Sequence, residues 1–390
     1  MGIQETIFST VDQLMPEILE IADFLHENPE VSHEEFQACR MLVEYLQAKG
    51  FRCEEKIAGF ETSFFARAGE QRRPAVAFIS EYDALPELGH ACGHNMIAAS
   101  AVGAAAALNQ VAFELAGQIA VIGCPAEEVP HPPVKKIMLD EGIFDGIDVA
   151  IMMHGGDRTT TGYNSLANTA VEFSFKGKPT HASKYPHLGR SALDGALFTM
   201  NAIEFLREHV RQDVRIHGVV VDGGARPNIV PETAKLAYRL RALDRKYLDE
   251  IEERFFNCAR AGALASRCEV LIDVVGRNAN KILTPILEEL LLENAVKAGA
   301  MNVMEPEEEK GSTDFGNVSQ RIPCSTLKTA FVPKGTPGHT KEWTQAAAGP
   351  EARKAIEVAS KALALTAYQL LTDEDLMQKV KFQYKERNSL

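Results

Sequence analysis

Three short apolar runs in this chain each lead to side chains that bind metals or move protons. Residues 75–79 (Ala-Val-Ala-Phe-Ile) lead to Asp83, residues 119–122 lead to Glu127 and Glu128, and residues 149–153 lead to His154. Runs this short without polar alternation read as strands buried on both faces. A small-residue run over 97–108 reads as a buried helix between the first two. Buried strands separated by helices predict a mostly parallel sheet with flanking helices, an α/β catalytic domain. In such sheets ligands bind beyond the carboxyl ends of the strands, and the acidic and imidazole groups fall there.

The pattern changes near residue 169. Val171, Phe173 and Phe175 alternate with polar neighbours, as in a half-buried strand. A helix is expected over 191–209, with Ser191 and Asp194 as its capping pair, followed by strands over 214–221 and around Leu236, Tyr238 and Leu240. A helix over 244–264 and a strand over 270–275 complete a β-α-β-β-α-β order, the ferredoxin-like α+β arrangement. Thr284-Pro285 then opens a new helix, with proline at its first position. The expected organisation is a catalytic domain in two parts, 1–168 and 284–390, interrupted by an inserted dimerisation or lid domain, 169–283. Residues 3–49 read as helical, with Ser32 and Glu35 as a capping box.

A length of 390 residues suits two domains. The net charge of −13 argues against a nucleic-acid partner and against a polybasic membrane contact. No apolar run approaches the ~20 residues of a spanning helix. The start, MGIQETIFST, has no basic stretch followed by an apolar one; Met1-Gly2 with Thr6 meets a loose myristoylation pattern but reads as the first turn of a helix. Seven scattered cysteines suit a reducing compartment, so a cytoplasmic location is expected.

Chemistry concentrates at residues 87–95, Glu-Leu-Gly-His-Ala-Cys-Gly-His-Asn. Cys92 and His94, one residue apart around Gly93, are strong ligand types for a divalent transition metal. His90 reads as a packing or hydrogen-bonding residue of the loop. Glu127 and Glu128 are adjacent and point in different directions, so one can bind metal while the other takes a proton from water. The spacing does not say which does which. His154 and His339, the latter in Gly-Thr-Pro-Gly-His-Thr, complete a ligand set. Two other readings stay open: a metal-binding or regulatory protein without turnover, and a thiol hydrolase with Cys92 as nucleophile.

His-Ala-Cys-Gly-His-Asn, Pro-Ala-Glu-Glu, the histidine after Met-Met, Gly-Ser-Thr-Asp-Phe-Gly-Asn-Val-Ser at 311–319 and Leu25-His26-Glu27-Asn28-Pro29-Glu30 resemble the motifs of the dinuclear metallo-amidohydrolase and carboxypeptidase family. That family includes the aminoacylases and p-aminobenzoyl-glutamate hydrolase. The resemblance runs from about residue 20 to 345, and Asn95 places it nearest the p-aminobenzoyl-glutamate hydrolase and β-alanyl-lysine dipeptidase branch. It implies two divalent metal ions per chain, zinc or manganese before cobalt or nickel, held by Cys92, His94, Glu128, His154 and His339, with Glu127 as general base. It implies a homodimer formed through the inserted domain, with His181 reaching the partner's site to polarise the scissile carbonyl. It also implies substrate contact by Asn228. Ser312 and Asp314 are expected in the pocket. Arg239 and Arg241 share one face of a strand, where either a substrate carboxylate or solvent can be their partner; Arg239 is placed in the substrate set. The expected reaction is hydrolysis of an amide bond in an N-acyl amino acid or small dipeptide.

Overall fold

The computed structural model describes residues 2–69, 74–111, 117–129, 133–306 and 311–388. The chain opens with two helices, α1 (Ile3–Glu27) and α2 (Phe36–Ala48), within the stretch 3–49 that the sequence pattern reads as helical. α1 buries Ile7, Val11, Leu14, Ile18, Ile21 and Leu25, one face at helical spacing. The break falls at 28–35, where Pro29 interrupts the helix pattern. Ser32 and Glu35 form no capping box: the Ser32 hydroxyl donates to Asp83 Oδ2 (2.7 Å), and α2 begins without a side-chain cap.

β1 (Arg52–Glu55), β2 (Phe64–Gly69), β3 (Ala75–Glu81), α3 (His94–Val111), β4 (Gln118–Cys124), α4 (Val134–Asp140) and β5 (Val149–Gly156) follow. The second sheet's elements come next: β6 (Ala167–Lys176), α5 (Ala192–Arg207), β7 (Arg215–Asp222), β8 (Thr233–Ala242), α6 (Arg245–Ser266) and β9 (Glu269–Asn278). The chain ends with α7 (Pro285–Lys297), α8 (Phe315–Ser319), β10 (Cys324–Ala330), α9 (Lys341–Ala346), α10 (Pro350–Thr372) and α11 (Glu374–Asn388).

The first sheet has the order β1-β2-β4-β3-β5-β10. β4, β3, β5 and β10 are mutually parallel, and the hairpin of β1 and β2 adds antiparallel to β4. The α/β expectation holds, with an antiparallel edge that the polar stretch Arg-Cys-Glu-Glu gave no sign of. α3 is buried from His94 to Leu108, and its alanines let α1 and α10 approach it. Among the described residues no helix is long and apolar enough to cross a membrane.

β6 to β9 form a separate antiparallel sheet in the order β7-β8-β6-β9, the ferredoxin-like strand order. Phe173, Tyr238 and Phe255 fill its core with ring centroids 5.1–6.1 Å apart. The two helices meet at glycine: a Cβ on Gly262 of α6 would lie 2.5 Å from the Gly195 carbonyl oxygen of α5. Because that neighbour is backbone, Gly262→Ala is expected to destabilise the protein by about 1–3 kcal/mol despite alanine's better helix propensity. Urea unfolding of the two proteins measures the difference.

Candidate metal centre

The carboxyl ends of β3, β4 and β5 converge on one site. Beyond β3 the chain passes Asp83 and loops back to the start of α3 through Cys92, Gly93 and His94. Gly93 sits at φ 83°, a left-handed conformation that suits glycine and turns its two neighbours inward. His94 Nδ1–H donates to Asp83, 2.8 Å from the carbonyl oxygen and 3.0 Å from Oδ1. His154, near the end of β5, donates its Nδ1–H to the Gly155 carbonyl at 2.8 Å. Each ring is thereby oriented with Nε2 as a lone-pair donor. His154 Nε2 lies 3.5 Å from Cys92 Sγ.

Beyond β4 the chain bends at Ala126, whose φ of 55° is uncommon for a residue with a Cβ and costs of order 1 kcal/mol. The two carboxylates that follow, Glu127 and Glu128, both come within 4.8 Å of His94. Glu128 Oε1 is 3.8 Å from His94 Nε2 and 3.6 Å from His339 Nε2. His339 is itself left-handed at φ 59°, and its N–H clips its loop to the Ala91 carbonyl at 3.0 Å. Besides a set of His94, Glu127 and Glu128, two donor sets that carry a thiol result, Cys92 with His94 and His154, and Cys92 with Glu128 and His339, each with all donor atoms within 4.8 Å of one another. Cys92 belongs to both. His94 Nε2 and Glu128 Oε1 are buried without a hydrogen-bond partner among the described residues. Leaving buried polar atoms unpaired is costly, and thiolate, imidazole and carboxylate donors suit zinc-like ions, so these residues fit a pair of divalent metals.

Residues 166–266 match the family described as a peptidase dimerisation domain. An Xaa-Arg dipeptidase of Mus musculus is 33% identical over 92% of this chain and 86% of its own length. The chain belongs to the M20 peptidase family. One of the p-aminobenzoyl-glutamate hydrolase subunits of Escherichia coli is 27% identical over 94% of this chain and 92% of its own length. A dinuclear metal-binding M20 peptidase of Bacillus subtilis has the same fold, with a TM-score of 0.70 over 93% of this chain and 99% of its own, at 20% identity. As an M20 peptidase the chain is an amide-bond hydrolase.

Behind the two donor sets, this M20 peptidase holds a second layer of charge. The buried Lys135 ammonium, on α4, pairs with Glu81 Oε1 at 2.8 Å and with Asp314. Glu127 shares a group with Glu81 and Asp314, so burial, and then those two charges, push its carboxyl well above the ordinary range. Burial, and then the neighbouring His94 charge, bring His90 down to about 3. Burial likewise holds His154 near 4, in the neutral form a metal requires.

The pocket over the centre has a volume of about 350 Å³, and Cys92, Glu127, Glu128, His154 and His339 all line it, as does Ser312. Asp314 does not line it. It is 4% exposed and faces inward to Lys135, because the Ser-Thr-Asp turn directs its third residue into the base of the site. Arg239 does not line it either: it lies opposite His217 over a separate groove, and Arg241 is the arginine that reaches the pocket. His181 and Asn228 are exposed and lie side by side, with Ala182 N–H donating to the Asn228 carbonyl at 3.0 Å, away from their own chain's pocket. Lys135, Lys281 and Lys328 carry no signal in the sequence, since their neighbours along the chain are ordinary; only the fold brings them here.

The bend at Ala126 is held from behind by Glu35, which is buried and accepts from Ala126 N–H (2.9 Å), His33 N–H (2.9 Å) and the Thr62 hydroxyl (2.8 Å). Burial raises its carboxyl from 4.5 to about 7. A raised carboxyl contributes stability that is complete below pH 4.5 and lost as pH rises through about 7, since the unfolded chain ionises first. Glu35→Gln has no such group. Its stability relative to wild type is therefore expected to rise by about 3 kcal/mol between pH 5 and pH 8, measured by urea unfolding of metal-free protein.

Proposed function

We propose that this M20 peptidase is a cytoplasmic homodimer that holds two divalent metal ions per chain, zinc or manganese foremost, and hydrolyses the amide bond of N-acyl amino acids or small dipeptides. The observation that supports the reading is the sharing of Cys92 between two ligand sets, with a further carboxylate, Glu127, grouped with His94 and Glu128 beside them. A pocket of about 350 Å³ suits a small substrate rather than a folded chain. The names of the two relatives, a dipeptidase and a p-aminobenzoyl-glutamate hydrolase, support the same substrate class.

Cys92, His94, Glu128, His154 and His339 would hold the ions. Such ions, when bound, lower the pKa of water and polarise a carbonyl. Glu127 would take the proton from water and return it to the leaving nitrogen. Ser312 and Arg241 contact the substrate, the arginine meeting its carboxylate. Cys92 as a nucleophile is less well supported, because burial pushes its thiol up, away from the thiolate.

The inserted segment, about 169–283, makes the dimer contact. Its edge strand β7 exposes Val219, Val220 and Val221, and α5 exposes Leu197, Phe198 and Phe205. A surface of this kind is unusual on a monomer and suits a second copy. His181 and Asn228, exposed on the same segment, then enter the partner's pocket, where His181 stabilises the developing oxyanion.

Glu127→Gln is expected to keep both metals and lose roughly 100- to 10,000-fold in kcat. Glu128→Gln is expected to lose metal. Elemental analysis alongside turnover of an N-acyl amino acid and dipeptide panel checks both, and exchanged phenotypes reverse the assignment. Mixing inactive His181→Ala with inactive Glu127→Gln after subunit exchange is expected to restore activity, because one site of each mixed dimer has both groups intact. No recovery in proven heterodimers would remove His181 from the partner's site.

A further inference from the structure

We propose that Glu35 is a positioning residue for the metal centre: its carboxylate, through the Ala126 N–H, sets the bend from which Glu127 and Glu128 reach the site. The inference rests on the reading of those two glutamates given above and adds a residue that no ligand or base role includes.

Glu35 lies at the start of α2, in the layer behind the ligands. It is 0% exposed, yet among the described residues it makes no ion pair; its three donors come from three separate parts of the chain. His33 N–H belongs to the loop between α1 and α2, the Thr62 hydroxyl to the loop before β2, and Ala126 N–H to the turn after β4. Oε1 accepts both N–H groups, and Oε2 accepts the hydroxyl. Asp83 Oδ2 takes the next turn donor but one, the Glu128 N–H at 3.1 Å, along with the Ser32 hydroxyl. Two buried carboxylates thus grip the peptide on either side of Glu127. Asp83 also fixes His94, so its loss would strike a ligand directly. Glu35 hydrogen-bonds no ligand side chain among the described residues; besides the turn it holds only the His33 N–H and the Thr62 hydroxyl. Ala126 has a left-handed backbone, which the chain leaves readily once the acceptor for its N–H is gone. Relaxation there swings both glutamates together.

This arrangement separates positioning from charge. Glutamine at position 35 can keep its oxygen on both N–H groups and turn its amide to the Thr62 oxygen, which preserves the bend. Alanine cannot.

The test is a competition titration with zinc and a chromophoric chelator, run on the full-length protein beside kcat, KM and thermal unfolding. Glu35→Ala is expected to bind zinc about 10- to 100-fold more weakly and to lose kcat with little change in KM, the scale at which outer partners act on a metal site. Glu35→Gln is expected to restore both to within about threefold of wild type, since its acceptor geometry is intact. If Glu35→Ala does not fold, Glu35→Asp replaces it, because the shorter side chain withdraws from Ala126 while remaining acidic. Wild-type zinc affinity and kcat in the alanine or aspartate variant, even with a lowered Tm, would reduce Glu35 to a structural residue and overturn the proposal. A glutamine variant as damaged as the alanine one would overturn it too. Glu127→Gln, measured in parallel, distinguishes the levels: if it is inactive while Glu35→Ala matches wild type, only this inference fails, and if it is active, the reading of the centre falls and the inference with it.

Discussion

Five carboxylates, those of Glu81, Asp83, Glu127, Glu128 and Asp314, meet at the carboxyl end of the parallel sheet, and holding that much negative charge in one place governs the structure around it. Like charges in a poorly solvated site repel strongly unless cations neutralise them. The protein supplies part of the neutralisation. Lys135 lies between Glu81 and Asp314, and the Asp83 carboxyl takes the His94 Nδ1–H, the Ser32 hydroxyl and the Glu128 N–H. The remainder falls on Glu127 and Glu128. Glu128 points its oxygen at two imidazoles and a thiol, a geometry that divalent ions complete. Glu127 shares one group with Glu81 and Asp314 and another with His94 and Glu128, and burial together with the neighbouring carboxylates pushes its carboxyl well above the ordinary range.

Bends in the backbone make the convergence possible. Strands end with side chains alternating between faces, so neighbouring ligands on a regular strand would point apart. Left-handed residues at Gly93, Ala126 and His339 turn the chain at three points around the site. At each the backbone is tied to a second group: the His90 carbonyl accepts from Gly93, the Ala91 carbonyl from His339, and Glu35 from Ala126. The rigid support comes from below, where α3 is buried along most of its length and starts with the candidate ligand His94 itself.

Much of this was legible in the chain. The apolar runs at 75–79, 119–122 and 149–153 became β3, β4 and β5, and the β-α-β-β-α-β order became the second sheet, because burial on one or both faces is written in hydrophobic period. Local patterns misled where long-range partners outcompeted them. Ser32 and Glu35 have the spacing of a capping box, yet Asp83, Thr62 and Ala126 lie close enough in the fold to take their hydrogen bonds. Asp314 sits in a polar Gly-Ser-Thr-Asp stretch that resembles a pocket wall, yet Lys135, 179 residues earlier, draws it inward.

The amino-acid sequence by itself determined the ligand types, their order, and the strands that deliver them, because these depend on composition and short-range period. Which atoms face which was decided only by tertiary structure. Arg239 and Arg241 are equivalent by parity on β8, but of the two only Arg241 lines the candidate pocket. Glu127 and Glu128 are equivalent by type. Past the bend at Ala126, whose N–H donates to Glu35 91 residues away, Glu128 lies near the His94 and His339 imidazoles, and Glu127 lies near His94 on one side and Glu81 and Asp314 on the other. Side-chain direction at a strand end depends on contacts from distant segments, and those exist only once the sheet has formed.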